Sequence, residues 1–116
     1  MSPLMDETAA LPPHERAAVS EYFDGDHDFY RVFRASAVVQ FPADLRAGDQ
    51  AEAAGDAQAL RRAAHTLKGV LLTLGYAELS AFAKTVEQGA QQQPWDEAVA
   101  GWRELRARMI AAFDLA

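Results

Sequence analysis

The sequence contains no cysteine and only one isoleucine, Ile110. Without cysteine the chain forms no disulfide, thiolate metal site or thiol nucleophile, and this composition fits a reducing cytoplasm. Valine and threonine are also sparse, whereas alanine, leucine, glutamate, glutamine and arginine are abundant. This usage disfavours strands and favours helices. The composition therefore predicts an all-α protein.

The chain also lacks a surplus of positive charge, a long apolar run and a targeting segment. Its formal net charge of −6 argues against a nucleic-acid binder, because phosphate contacts need a basic surface. No apolar run approaches the about 20 residues of a membrane span, and the start, MSPLMDETAALPP, is no signal peptide. We expect one cytoplasmic domain over residues 1–116, because this length suffices for one core and not for two.

Proline, glycine and aspartate divide the chain into five helical segments. A short helix is predicted at about residues 12–23 and a bundle at about 27–115, with breaks at DGD, Gly55, Gly75 and the QQQP linker. Pro42 lies inside the long segment from about 27 to 54 and should kink or split it. Short connections predict antiparallel neighbours, and hence an up-down four-helix bundle with a short additional N-terminal helix.

Apolar residues recur at three- and four-residue spacing, which is typical of helices with one buried face. In the third segment they are Leu60, Ala64, Leu67, Leu71 and Leu74. In the fourth and fifth segments they are Leu79, Phe82, Ala83, Val86, Trp95, Val99, Trp102, Met109 and Phe113. In the second segment Phe29, Val32, Phe33, Ser36 and Gln40 lie roughly on one stripe.

One exposed turn combines an imidazole, an ammonium group and a missing side chain. On a helix of ~100° per residue, His65 lies roughly 140° from Leu60 and so away from the core stripe. A neutral imidazole can accept a phosphoryl group on one nitrogen while a hydrogen bond holds the other. Lys68 offsets the added negative charge, and Gly69 leaves room for another protein. The ordinary alternatives are a solvated surface histidine and a glycine that permits close helix packing.

The sequence AHTLKG at residues 64–69 is followed five residues later by GY, and then by Leu79 and Val86-Glu87 on the next helix. This pattern resembles the histidine phosphotransfer (HPt) domain of multistep phosphorelays. The resemblance covers roughly residues 29–91, and GDAQALRRAAHTLKG is its most specific part. It implies a cytoplasmic phosphocarrier that takes a phosphoryl group from a receiver-domain aspartate and passes it to another receiver. Response-regulator receivers or a hybrid sensor kinase are the implied partners, and no cofactor or metal is implied.

The resemblance also implies roles for individual residues. His65 matches the phosphoacceptor, Lys68 the lysine beside the phosphate, and Gly69 the small residue that permits docking. Glu87 matches the position where such domains place a Glu or Gln beside the histidine ring. Its place on the helical wheel predicts that Glu87 can face His65 and hydrogen-bond the second ring nitrogen.

Two further residues are predicted to meet the partner, Leu72 and Arg61. Leu72 lies near the azimuth of His65, two turns further on, so it should be at least partly exposed. Leu71, in the core stripe, should be buried.

Three departures from the family pattern leave partner choice open. Residues 70–72 are Val-Leu-Leu where the family is usually small and polar. Tyr76 replaces a usual small residue after Gly75, and Gly48 lies where a leucine is common.

Other functional classes find less support in the sequence. There is no glycine-rich nucleotide loop, so neither ATP binding nor autophosphorylation is expected. A di-iron bundle needs Glu-x-x-His pairs, and no histidine here has a glutamate three residues before it. The remaining alternative is a helical-bundle interaction module that binds a signalling partner without phosphotransfer. A monomer is expected, since there is no long heptad run.

Overall fold

In the computed structural model, which describes residues 11–115, the chain forms five α-helices. They are α1 (Pro13–Tyr22), α2 (His27–Ala54), α3 (Ala57–Leu74), α4 (Ala77–Gln92) and α5 (Trp95–Phe113). The described residues contain no β-strand, which confirms the all-α prediction. The prediction about a signal peptide falls mostly on residues 1–10, outside the described range. Within residues 11–115, no helix is long and apolar enough to cross a membrane.

Aspartate caps and left-handed glycines mark the ends of α2 and α3. Asp26 and Asp56 cap α2 and α3, and each side chain accepts a hydrogen bond of 3.0 Å from the backbone N–H three residues further on. Gly55 and Gly75 end the same helices in the left-handed conformation, with φ of 66° and 96°. A side chain at Gly75 would also overlap the backbone of α1. The helix that carries the predicted site therefore begins and ends where the sequence indicates.

The connection between α4 and α5 is shorter than predicted. The sequence predicts the end of this helix at about Gln91, and the helix continues through Gln92, the second residue of the QQQP segment. Only Gln93 and Pro94 separate the two helices. The two glutamines have good helix propensity, and this allows α4 to continue until Pro94 prevents further extension.

Pro42 does not split α2, so one of its two predicted outcomes is wrong. The helix is continuous from His27 to Ala54, with Pro42 on its exposed side and the neighbouring Phe41 fully buried. Because the ring faces outward, it displaces no core residue, and packing of the helix on both sides of Pro42 maintains its path.

The buried face of α2 is not the stripe that contains Phe29 and Val32. Those two side chains are 59% and 71% exposed, respectively. The residues of α2 that are buried are Tyr30, Phe41, Leu45, Gly48 and Ala51. The first half of α2 has apolar residues on both of its sides, so hydrophobic spacing alone does not determine which side faces the core.

The helix α3 lies at the centre of the packing and contacts all four other helices. Consecutive helices from α2 to α5 pack against each other, and α5 also contacts α2. All five predicted core residues of α3 are buried. On α5, Trp102 is fully buried against Gly48, where any side chain would overlap the indole. This contact explains why glycine occupies a position where leucine is common in the family.

The short helix α1 is attached to the other helices through a polar cluster. Glu15 is only 4% exposed, and its carboxylate accepts hydrogen bonds from Arg34 Nε at 3.2 Å and from the Tyr76 hydroxyl. Ala18 and Val19 are buried beside it. Tyr76, the second departure from the family pattern, thus connects α1 to the turn that follows α3.

Candidate histidine phosphotransfer site

The predicted site lies on the outer face of α3, where three of its residues share one turn. The His65 side chain is 63% exposed and that of Lys68 is 30% exposed. The core stripe on the opposite face anchors this turn, because Leu67 and Leu71 are fully buried. The imidazole is therefore held by a rigid helix while its ring reaches solvent.

Glu87 reaches this turn from α4, as predicted. Its Oε2 lies 2.8 Å from His65 Nδ1, and its Oε1 lies 2.8 Å from Lys68 Nζ. Arg61 Nη1 lies 4.0 Å from Oε2, beyond hydrogen-bonding distance. Glu87 thus connects the histidine and the lysine, and its side chain is only 13% exposed.

The charge of Glu87 determines which nitrogen of His65 carries the proton. The hydrogen bond from Lys68 lowers the pKa of Glu87 below its usual range, so the carboxylate is ionised at neutral pH. An ionised carboxylate only accepts hydrogen bonds, so Nδ1 must be the donor in this contact. In the neutral ring, Nε2 then keeps its lone pair. Within the described residues, no side chain or backbone group hydrogen-bonds Nε2.

Gly69 opens space beside this ring. A β-carbon added at this position would find no atom within 4 Å among the described residues. The glycine therefore does not serve close packing among the five described helices, which was its ordinary alternative explanation. At Gly48, by contrast, a β-carbon would overlap Trp102.

Ser80 fixes the position of α4 along α3. Its side chain is buried at 5% exposure, and the hydroxyl donates a 2.8 Å hydrogen bond to the backbone carbonyl of Lys68. Ser80 and Glu87 are seven residues apart and so lie on the same face of α4. The Ser80 contact therefore holds Glu87 at the height of His65. Ser80 is not among the residues predicted from the sequence: a serine beside an apolar stripe can be noticed there, but its backbone acceptor cannot.

The two leucines behind the site behave as predicted. Leu71 is fully buried, whereas Leu72 is 45% exposed on the side of the helix that carries His65.

A polar groove lies on the α4 side of the ring. Its lining comes from α3 and α4: Arg61, Lys68, Lys84, Glu87, Gln88, Gln91 and Gln92. Three of these side chains are cationic, in a chain whose formal net charge is −6. The surroundings of His65 are thus locally basic and suit a phosphoryl group. Among residues 11–115, no three histidine, aspartate or glutamate side chains converge as a metal ion would require.

An exposed histidine whose Nδ1 is held by a carboxylate, beside a lysine and an uncovered glycine, is the arrangement that the resemblance to HPt domains implies. A family model agrees: the Hpt domain model matches residues 31–113. The chain belongs to the Hpt domain family, whose members carry phosphoryl groups on histidine in two-component phosphorelays. These domains interact with receiver domains and kinases. No curated protein and no solved structure matches the chain significantly.

Proposed function

We propose that this protein accepts a phosphoryl group from a receiver-domain aspartate onto Nε2 of His65 and relays it to another response-regulator receiver. The observation that carries the proposal is the 2.8 Å contact between His65 Nδ1 and Glu87 Oε2. It directs the ring so that the remaining nitrogen is an exposed nucleophile.

The transfer uses side chains that are already in place. The lone pair of Nε2 attacks phosphorus, the bond from phosphorus to the aspartyl oxygen breaks, and the aspartate carboxylate leaves with the electron pair. Lys68 and the neighbouring Arg61 reduce the repulsion that the arriving phosphoryl charge meets, since both cations lie beside Glu87, whose Oε2 contacts the ring. No nucleotide takes part in this transfer.

The receiver is proposed to dock around His65 through three features. Gly69 leaves the approach to the ring open. Leu72 offers apolar surface, and Arg61, whose side chain is 41% exposed, offers a charged contact. We also propose that the protein is an antiparallel up-down bundle, that residues 1–116 form one domain, and that its location is cytoplasmic.

Transfer from phosphorylated receivers tests the proposal. The protein is incubated with each receiver domain of the host that has been phosphorylated with acetyl phosphate, and label that is stable to base and labile to acid is mapped. We expect label on His65 only, and none in His65→Gln. His27→Gln is the matched control, because it removes a histidine from α2 and should transfer normally.

The alternative function predicts a different result. A bundle that only binds a signalling partner would capture a receiver in the same experiment without acquiring label. Label on His14 or His27, or label that survives in His65→Gln, would contradict the assignment of the acceptor.

A further inference from the structure

The group that holds the His65 ring is a carboxylate, although an amide would satisfy the same geometry. Holding the Nδ1 proton requires only an acceptor oxygen, and a glutamine side chain has one. What Glu87 adds is a negative charge 2.8 Å from the ring. Because its side chain is only 13% exposed, little water screens that charge.

Phosphorylation changes the charge of the ring. When Nε2 forms its bond to phosphorus, Nδ1 keeps its proton and the ring becomes an imidazolium. In the onward step, the nitrogen–phosphorus bond breaks and its electron pair returns to Nε2, which releases a neutral imidazole. A ring that had lost the Nδ1 proton would have to leave as an imidazolate, which is a much poorer leaving group. The phosphorylated ring therefore transfers its phosphoryl group fastest while it stays protonated.

We propose that the charge of Glu87 keeps the phosphorylated ring of His65 protonated to higher pH than an uncharged amide at this position would, and so keeps the phosphoryl group transferable. This inference rests on the proposed function and specifies what controls the release step. A carboxylate beside the Nδ1 proton stabilises the cationic ring over the neutral one. Glu87 acts through the ring and is a positioning residue.

Three cations lie beside Glu87 or in the groove that it lines. Lys68 Nζ lies 2.8 Å from Oε1, the oxygen that does not contact the ring, and Arg61 Nη1 lies 4.0 Å from Oε2. Lys84 lines the same groove, which receives no residue from α1, α2 or α5. A phosphoryl group on Nε2 adds negative charge that competes for these three cations. After phosphorylation the ring proton is therefore attracted by Glu87 and by the phosphoryl group together.

The ring titration tests the inference without any receiver. Wild-type protein and Glu87→Gln are phosphorylated with phosphoramidate, and the ¹⁵N resonances of the phosphorylated ring are followed against pH. We expect the ring to lose its proton about one pH unit lower in Glu87→Gln, because that variant lacks the charge of an ionised neighbour. Glu78→Gln is the matched control, since it removes an equal charge from α4 away from the ring. Equal midpoints for wild type and Glu87→Gln would overturn the inference.

The pH profile of onward transfer to an unphosphorylated receiver gives the second readout. Below both midpoints we expect equal rates, and above both midpoints we expect about tenfold slower transfer from Glu87→Gln. A rate that is lower by the same factor at every pH would mean that Glu87 only orients the ring, and would overturn the inference. If no receiver takes the group from either protein, the proposed relay fails, while the ring titration still decides the role of the charge.

Discussion

At the scale of single residues, two glycines of this chain have opposite functions. Gly48 makes room inside the molecule for Trp102, whereas Gly69 has no atom of the described chain near its missing side chain. A glycine in a helix costs about 1 kcal/mol relative to alanine. Since no contact within residues 11–115 recovers that free energy at Gly69, we attribute the glycine to access by a partner.

Substitution of Gly69 should separate stability from transfer. Gly69→Ala should raise the free energy of unfolding by about 1 kcal/mol, and Gly69→Gln should also raise it, because both residues are better helix formers. Transfer to His65 should slow strongly in Gly69→Gln, whose side chain fills the approach. Gly101→Ala is the control: its β-carbon would make only an ordinary contact, so it should leave transfer unchanged.

Urea unfolding and stopped-flow phosphotransfer provide the two measurements. Normal transfer kinetics in Gly69→Gln would show that the glycine is present for another reason than access.

Adjacent leucines give a second comparison at this scale. Leu71→Asp should lower the free energy of unfolding by about 4 kcal/mol, because it places an unpaired charge in the core. Leu72→Asp should stay folded, since that side chain is 45% exposed, and should weaken receiver binding. Thermal unfolding and binding titrations check both variants. If Leu72→Asp folds and transfers at the normal rate, the receiver docks elsewhere.

At the scale of elements, a polar cluster around the buried Glu15 attaches α1 to the rest of the fold. Tyr76→Phe removes the hydroxyl that donates to Glu15 and accepts from Arg34 Nη2, and it leaves the contact between Arg34 Nε and Glu15 in place. We expect a loss of about 1 kcal/mol in stability and faster hydrogen exchange in α1. Tyr22→Phe is the control, because this tyrosine on α1 is 48% exposed. Unchanged exchange in Tyr76→Phe would mean that the Tyr76 hydroxyl does not help to hold α1.

The same variant should alter the dependence of stability on pH. Burial raises the pKa of Tyr76 above its ordinary value of about 10, so the folded protein keeps this proton to higher pH than the unfolded chain does. The resulting stability is complete below about pH 10 and is lost as pH rises further. Stability measured from pH 8 to 11 should therefore decline less steeply in Tyr76→Phe. Burial also raises the pKa of Tyr30, so part of the decline should remain.

The helices differ in how far the sequence predicts them. The caps and the strong apolar stripe of α3 determine both its bounds and the direction of His65. The face of α2 is not predictable in this way, because Phe29 and Tyr30 are adjacent, equally suited to a core, and only Tyr30 is buried. Tyr30 is the buried one because of a contact with another helix: its hydroxyl donates a 2.7 Å hydrogen bond to the carbonyl of Leu74, the last residue of α3.

At the scale of the whole molecule, helix α2 leaves apolar side chains uncovered. Phe29, Val32 and Val39 are 59%, 71% and 81% exposed. We nevertheless predict a monomer, because the formal net charge of −6 makes two copies repel each other. Sedimentation equilibrium should give a mass of 12.7 kDa at low and moderate concentrations. A dimer that Val32→Asp dissociates would contradict this prediction and locate the interface on α2.

The candidate site was easier to predict than the rest of the molecule, and for a physical reason. His65, Lys68 and Gly69 lie within one turn, so helix geometry alone places them together. Glu87 needed the additional assumption that α4 packs beside α3. The contact that fixes its height, from Ser80 to the Lys68 carbonyl, involves a backbone acceptor and leaves no pairwise pattern in the sequence.

The central claim is that Glu87 holds Nδ1 of His65 and leaves Nε2 to accept the phosphoryl group. The most direct test is to phosphorylate ¹⁵N-histidine-labelled protein with a phosphorylated receiver and to identify the modified nitrogen by ³¹P–¹⁵N coupling. The account predicts one phosphorylated histidine, His65, with phosphorus bonded to Nε2. Phosphorus on Nδ1 of His65, or on another residue, would contradict it.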